Sequence, residues 1–180
     1  MAHEDTIYGL MEELVIADKH IIGDIMAHKG IWTAGVSAVN NSYKALNLLV
    51  DSGKLIKSEN FYKLPECKSE YKEHSQLLTK AFAEIIKFNP NCRIFREHTI
   101  AEKGLRPDGI VLLSKDGKGV CFILEVMNNE SESYAEMKRR VWESFDEATE
   151  YLTKLFGTIP PIPYFDIVTS DNLKTYLEGL

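Results

Sequence analysis

Two carboxylates interrupt apolar β runs in this chain, and a fold has to do something with both. The runs are Arg106-Pro107-Asp108-Gly109-Ile110-Val111 and Val120-Cys121-Phe122-Ile123-Leu124-Glu125-Val126, with Lys115 to Gly119 between them reading as a turn. An unpaired carboxylate in an apolar interior costs several kcal/mol, so each acid needs compensation. Converging carboxylates suit Mg²⁺ or Mn²⁺, because a hard cation takes one or two protein oxygens and keeps waters for chemistry. A plainer role is open as well: Asp108 capping a turn and Glu125 pairing with an Arg at a strand end.

Length and composition bound the rest. The 180 residues, 44% of them apolar, suffice for one ordinary domain or two small ones. No run approaches the roughly 18 apolar residues of a membrane span. The start Met1-Ala2-His3-Glu4-Asp5 is acidic where a signal peptide is basic. A cytoplasmic protein without membrane contact is expected. Cys67, Cys92 and Cys121 are odd in number and widely spaced, which fits reduced, packed thiols better than a zinc or redox pair. The net charge of −6 excludes a generally basic nucleic-acid coat and leaves room only for a local positive face. No G-x-x-x-x-G-K-[ST] loop is present, so no nucleotide cofactor is expected.

Residues 1–64 read as three helices and a hairpin. Leu10, Leu14, Val15 and Ile16 follow Tyr8 at helical spacing, and Ile21, Ile22, Ile25 and Met26 mark a second helix that stops at Lys29-Gly30. A third helix over 37–52 places Val39, Tyr43, Leu46, Leu49 and Val50 on one face, with polar residues outside. Lys54-Leu55-Ile56-Lys57 and Phe61-Tyr62-Lys63-Leu64 flank a short turn. This is the winged helix-turn-helix plan, whose third helix enters the major groove of double-stranded DNA. Asn40, Asn41, Lys44 and Asn47 would then contact bases and phosphates, and Lys54, Lys57 and Lys63 of the wing would contact phosphate. Such a module also serves for protein pairing without DNA.

Pro65 ends the hairpin, and the domain boundary is placed there, giving 1–64 and 65–180. The second part reads αβββαβα: a helix over 71–88, a strand over 92–100, the two acid-bearing strands, one long helix over 131–156, a strand over 164–169 and a short final helix. The predicted fold class is α/β with a mixed sheet, since a strand that follows a long helix usually returns parallel to a neighbour. Glu136 with Arg140 and Arg139 with Glu143 fit a solvated helix face. His74 and His98 fit hydrogen-bonded structural roles.

The αβββαβ order, with Pro107-Asp108 on the second strand and Glu125 closing the third, resembles the PD-(D/E)xK or restriction-endonuclease-like core. Together with the winged helix, His74, Arg96-Glu97-His98 and Leu105-Arg106-Pro107-Asp108-Gly109, the chain resembles the replication-relaxation proteins of plasmids and phages. The resemblance implies a role in mobile-element DNA replication, relaxation or mobilisation. In that core a Lys lies two residues after the Glu, and here the position is Met127. Its thioether carries neither charge nor proton. In some relatives the Lys comes from the following helix, which points to Lys138. A live site would use Asp108 and Glu125 as ligands of Mg²⁺ or Mn²⁺, Glu97 through a water and Lys138 at the phosphate, with Glu84 as a further carboxylate. The missing Lys favours the other outcome, a degenerate site in a DNA-binding protein of a mobile element, whose nuclease-like domain serves as a scaffold for DNA or for a partner protein. A homodimer would match a two-fold DNA site.

Overall fold

The computed structural model describes residues 3–68, 72–100, 104–115, 118–126, 132–144, 147–157, 167–169 and 172–180. They form two compact units, Met1–Lys87 and Phe88–Leu180. Among the described residues there are seven helices, a three-stranded antiparallel sheet and a four-stranded mixed sheet. None of these helices is long and apolar enough to cross a membrane.

The first helix of the first unit, α1 (Glu4–Leu14), turns Ile7, Leu10, Met11 and Leu14 inward at helical spacing. The apolar periodicity continues through Val15 and Ile16, but the helix does not. Val15 adopts φ 64 and its N–H closes on the Met11 carbonyl, after which Ile16 opens a strand, β1 (Ile16–Asp18). A β-branched residue in the left-handed region costs about 1–2 kcal/mol. That cost is offset by the sheet: β1 pairs with β3 (Phe61–Lys63), which pairs with β2 (Ile56–Ser58), and the order is β1-β3-β2. The two-stranded hairpin expected from the sequence thus has a third strand.

Asp18 ends β1 and caps α2 (Lys19–His28), accepting from the backbone N–H groups of His20 at 2.7 Å and Ile21 at 3.0 Å. Helix α3 (Val36–Asp51) buries Ala38, Ser42, Leu46 and Leu49, so its inward stripe differs from the expected one by leaving Tyr43 outside. Gly23 lets α2 and α3 approach closely, since a Cβ there would lie 3.1 Å from the Ala38 carbonyl carbon and 3.2 Å from the Val39 nitrogen. The Ser42 hydroxyl donates to the Lys19 carbonyl at 2.6 Å across the same contact. Helix α4 (Glu73–Phe88) is tied to this unit by the Thr79 hydroxyl, which donates to the Ile16 carbonyl at 3.0 Å, and by Lys87, 2.9 Å from Asp24. The first compact unit therefore runs past Pro65 to Lys87 and takes in the helix that the sequence pattern assigned to the second part.

The second unit is built on β4 (Arg93–Arg96), β5 (Gly109–Lys115), β6 (Lys118–Glu125) and β7 (Ile167–Thr169), in that spatial order. The first three are antiparallel and β7 runs parallel to β6. Ile110, Cys121 and Ile123 share one core cluster with Trp142 of α5 (Glu132–Glu143) and Leu152 and Phe156 of α6 (Ala148–Phe156). On the alternate residue Phe122, whose side chain leaves the other face of the pleat, the ring meets Tyr176 of α7 (Leu173–Gly179) with centroids 5.1 Å apart. The single helix expected over 131–156 is two helices. The first ends at Glu143, after which the Ser144 hydroxyl donates to the Val141 carbonyl at 2.9 Å, and the second begins at Ala148.

The α2–α3 contact yields a paired test. An alanine at a mid-helix glycine gains up to about 1 kcal/mol from helix propensity. Gly9 of α1 has open space at its Cβ position, whereas Gly23 faces the α3 backbone. Urea unfolding should show Gly9→Ala stabilised by up to about 1 kcal/mol and Gly23→Ala destabilised by about 1 kcal/mol, overpacking outweighing propensity. Equal stabilisation at both sites would refute the close approach.

Candidate functional site: an acid pair closed by a lysine

Strand alternation brings the two acids of the second unit to one face. Cys121, Ile123 and Glu125 share parity on β6, as do Asp108 and Ile110 at the start of β5, and Ile110, Cys121 and Ile123 face α5 and α6. The β5–β6 register pairs Gly109 with Leu124. One further step along it sets Asp108 opposite Glu125. Asp108 itself lies just before β5, and its Oδ2 accepts from the Val126 backbone N–H at 2.7 Å. Two carboxylates opposed at a strand end repel each other, and Glu125 retains only 2% exposure.

Lys138 supplies the missing charge. Its Nζ lies 2.6 Å from Glu125 Oε2, with Lys138 itself 8% exposed. It stands one turn before the buried Trp142, so a cation occupies the core-facing stripe of α5. The Tyr134 ring, a turn earlier, has its centroid 4.7 Å from Nζ. Burial pulls the Lys138 ammonium downward, but the hydrogen bond and charge of Glu125, together with the charges of Asp108 and Tyr134, outweigh it and raise its pKa. The ammonium is held protonated against Glu125.

The other expected members are elsewhere. Glu97 is not on the first strand but follows β4 with φ 46, held by its N–H on the Asp108 carbonyl at 2.8 Å. Its carboxylate reaches Arg106 at 3.0 Å and Arg96 at 3.6 Å. It adjoins Asp108 through the backbone while its side chain is engaged by arginines. Glu84 lies on α4 in the first unit and pairs with Lys87. Met127 lies outside the described residues. His98 packs against Phe95 and Tyr151, and burial lowers its pKa. Arg139 and Arg140 pair with Glu136 at 3.9 and 3.4 Å on the solvated side of α5.

Among the described residues no group of three or more His, Cys, Asp or Glu could hold a metal ion. The donor set that is present, two carboxylates on one sheet face, still suits a hard cation that completes its shell with water.

The first unit carries the proposed DNA contacts, and the structure separates them. Asn40 and Lys44 are exposed on α3. Asn41 and Lys44 line a depression of about 270 Å³ with Glu4, Trp32 and Leu48. Asn47 is committed at both ends: its amide donates to the Tyr43 carbonyl at 2.8 Å and its oxygen accepts from Lys57 at 3.3 Å and Tyr62 at 3.4 Å. It braces the surface and is not poised to read a base. Lys57 lies over the Tyr43 ring at 4.9 Å, and Lys54 lies over Tyr8 at 5.2 Å. The sequence reading missed Lys19, which stands 5.4 Å from the same Tyr43 ring.

No protein-family model, no curated protein and no solved structure matches the chain.

The raised pKa of Lys138 gives a pH signature. A folded pKa above the ordinary lysine value means that the contribution is complete below about pH 10.4 and is lost as pH rises through the folded value. Urea unfolding near pH 9 and near pH 11 should show a larger alkaline loss of stability for the wild type than for Lys138→Met. Equal losses would mean that another group governs the alkaline limb.

Proposed function

We propose that the chain acts on DNA, holding a duplex with its first unit and hydrolysing a phosphodiester with its second, as a metal-dependent endonuclease. The observation that carries this reading is the Lys138 ammonium 2.6 Å from Glu125 and within the field of the Asp108 carboxylate. An acid pair with a lysine is the group expected of a PD-(D/E)xK centre, and here the helix after the strand provides the lysine in place of Met127. The β4-β5-β6-β7 mixed sheet supports a restriction-endonuclease-like architecture. The order α1-β1-α2-α3-β2-β3 with its β1-β3-β2 sheet supports a winged helix-turn-helix in the first unit. The resemblance to replication-relaxation proteins favours a mobile-element setting.

In this reading each residue has a distinct task. Asp108 and Glu125 would hold Mg²⁺ or Mn²⁺, which when bound supplies an activated water. Lys138 keeps a proton on Nζ, restrains Glu125 and offers positive charge to a phosphate whose oxygens gain charge as the bond breaks. The Val126 N–H fixes the orientation of the Asp108 carboxylate through Oδ2. Glu97 and Arg106 close the adjoining turn.

A second reading rests on the burial of the pair. With Glu125 2% and Lys138 8% exposed, the ion pair fits a structural clamp in a DNA-binding protein that no longer cleaves. Purified protein with supercoiled plasmid or single-stranded DNA and Mg²⁺ or Mn²⁺ separates the two. The endonuclease reading predicts cleavage that falls by about 100-fold or more in each of Asp108→Asn, Glu125→Gln and Lys138→Met. Absent cleavage with salt-sensitive DNA binding intact would favour the clamp. Absent binding even at low salt would remove the DNA reading altogether.

A further inference from the structure

We propose that the first unit selects A·T base pairs, read by Asn40 and Val36 on the outer face of α3, while Lys19 and Lys57 seat the neighbouring phosphates against Tyr43. This rests on the proposal that the unit holds duplex DNA in its major groove.

Val36 opens α3 with 78% of its surface exposed, and Asn40 stands exposed one turn later on the same face. Valine so placed contributes nothing to the core. Its methyl groups match the thymine C5-methyl, and the asparagine amide matches the N6 donor and N7 acceptor of adenine. Guanine is most often read by a bidentate Arg or Lys. The first two turns of α3 carry no basic residue, and every arginine of the chain lies beyond Lys87, at Arg93, Arg96, Arg106, Arg139 and Arg140. The first unit therefore offers bases asparagine and apolar surface at the start of α3 and no guanidinium, with the exposed Lys44 ammonium one turn beyond Asn40.

Charge lies beside this stripe. Tyr43, 43% exposed, gathers two ammonium groups from different elements: Lys19 of α2 at 5.4 Å and Lys57 of β2 at 4.9 Å from its centroid. Lys57 is further held by Asn47 at 3.3 Å. Among the described residues neither ammonium forms an ion pair with a carboxylate. On a chain of net charge −6, two cations kept together on an aromatic face are complementary to a polyanion. Tyr43 is a positioning residue for both.

The test is selection of binding sites from a randomised duplex pool by the full chain, beside Asn40→Ala and the Lys19→Gln/Lys57→Gln pair, all checked for wild-type thermal unfolding. The wild type should enrich sites fixed by A·T pairs, and Asn40→Ala should lose preference at one position by roughly tenfold. The double lysine variant should keep the same preferred sequence, bind it more weakly, and show a log–log salt slope shallower by about two. Tyr43→Ala should mimic that double variant, and Tyr43→Phe should not. Bound DNA defined by G·C pairs, or bound without base preference, overturns the inference and leaves the DNA-holding role standing. No duplex bound at low salt overturns both.

Discussion

The buried ion pair of Lys138 with Glu125 is the contact around which the second unit is arranged. Strand alternation delivers two carboxylates to the α5-facing side of the sheet, and a sheet end cannot keep two such charges without a cation. Taking Lys138 from α5 meets that need and at the same time fixes the helix on the sheet, with Trp142 one turn further into the core. The same constraint explains why Asp108 stops short of β5: its carboxylate turns to the Val126 N–H, and its carbonyl holds the Glu97 turn. Packing and candidate chemistry share these few residues.

The first unit solves a different problem, joining short elements with little sheet. Val15 in the left-handed region allows α1 to end and β1 to pair at once, and Asp18 turns the same strand directly into α2. Close approach at Gly23 then sets α3 against α2 and leaves its outer face free of the core. That outer face is where Tyr43, Lys19 and Lys57 gather, so an outward aromatic holds charge where an inward one would have filled space.

Much of this was legible in the sequence, for identifiable reasons. The two acids stood out because they broke apolar alternation, and the mixed character of the sheet followed from the strand and helix order. Lys138 was marked by its charge and its helix, but its inward orientation, one turn before the buried Trp142, was not, because helical phase drifts over a long element whose ends are uncertain. Other features depended on tertiary contacts that periodicity does not carry. Ile16 continued a helical pattern yet pairs with Lys63, far along the chain. Tyr43 fits an apolar stripe by spacing but is drawn outward to two ammonium groups, and Glu97 is taken by Arg106. The span read as one helix is two, Glu132–Glu143 and Ala148–Phe156, although its apolar spacing runs on through both. Helix α4 is amphipathic in any setting, so tertiary contacts such as those of Thr79 with Ile16 and of Lys87 with Asp24 reveal which unit it joins.

A double-mutant cycle between Glu125 and Lys138, read by urea unfolding at neutral pH, tests the central claim most directly. Removing either partner alone, by Glu125→Gln or Lys138→Met, should destabilise the protein by about 3 kcal/mol or more, because the charge left behind is buried. The combined variant should lose far less than the sum, with a coupling of at least about 2 kcal/mol. Losses that add to within about 0.5 kcal/mol would mean that the two groups do not compensate each other, and the charge-balanced site would have to be abandoned.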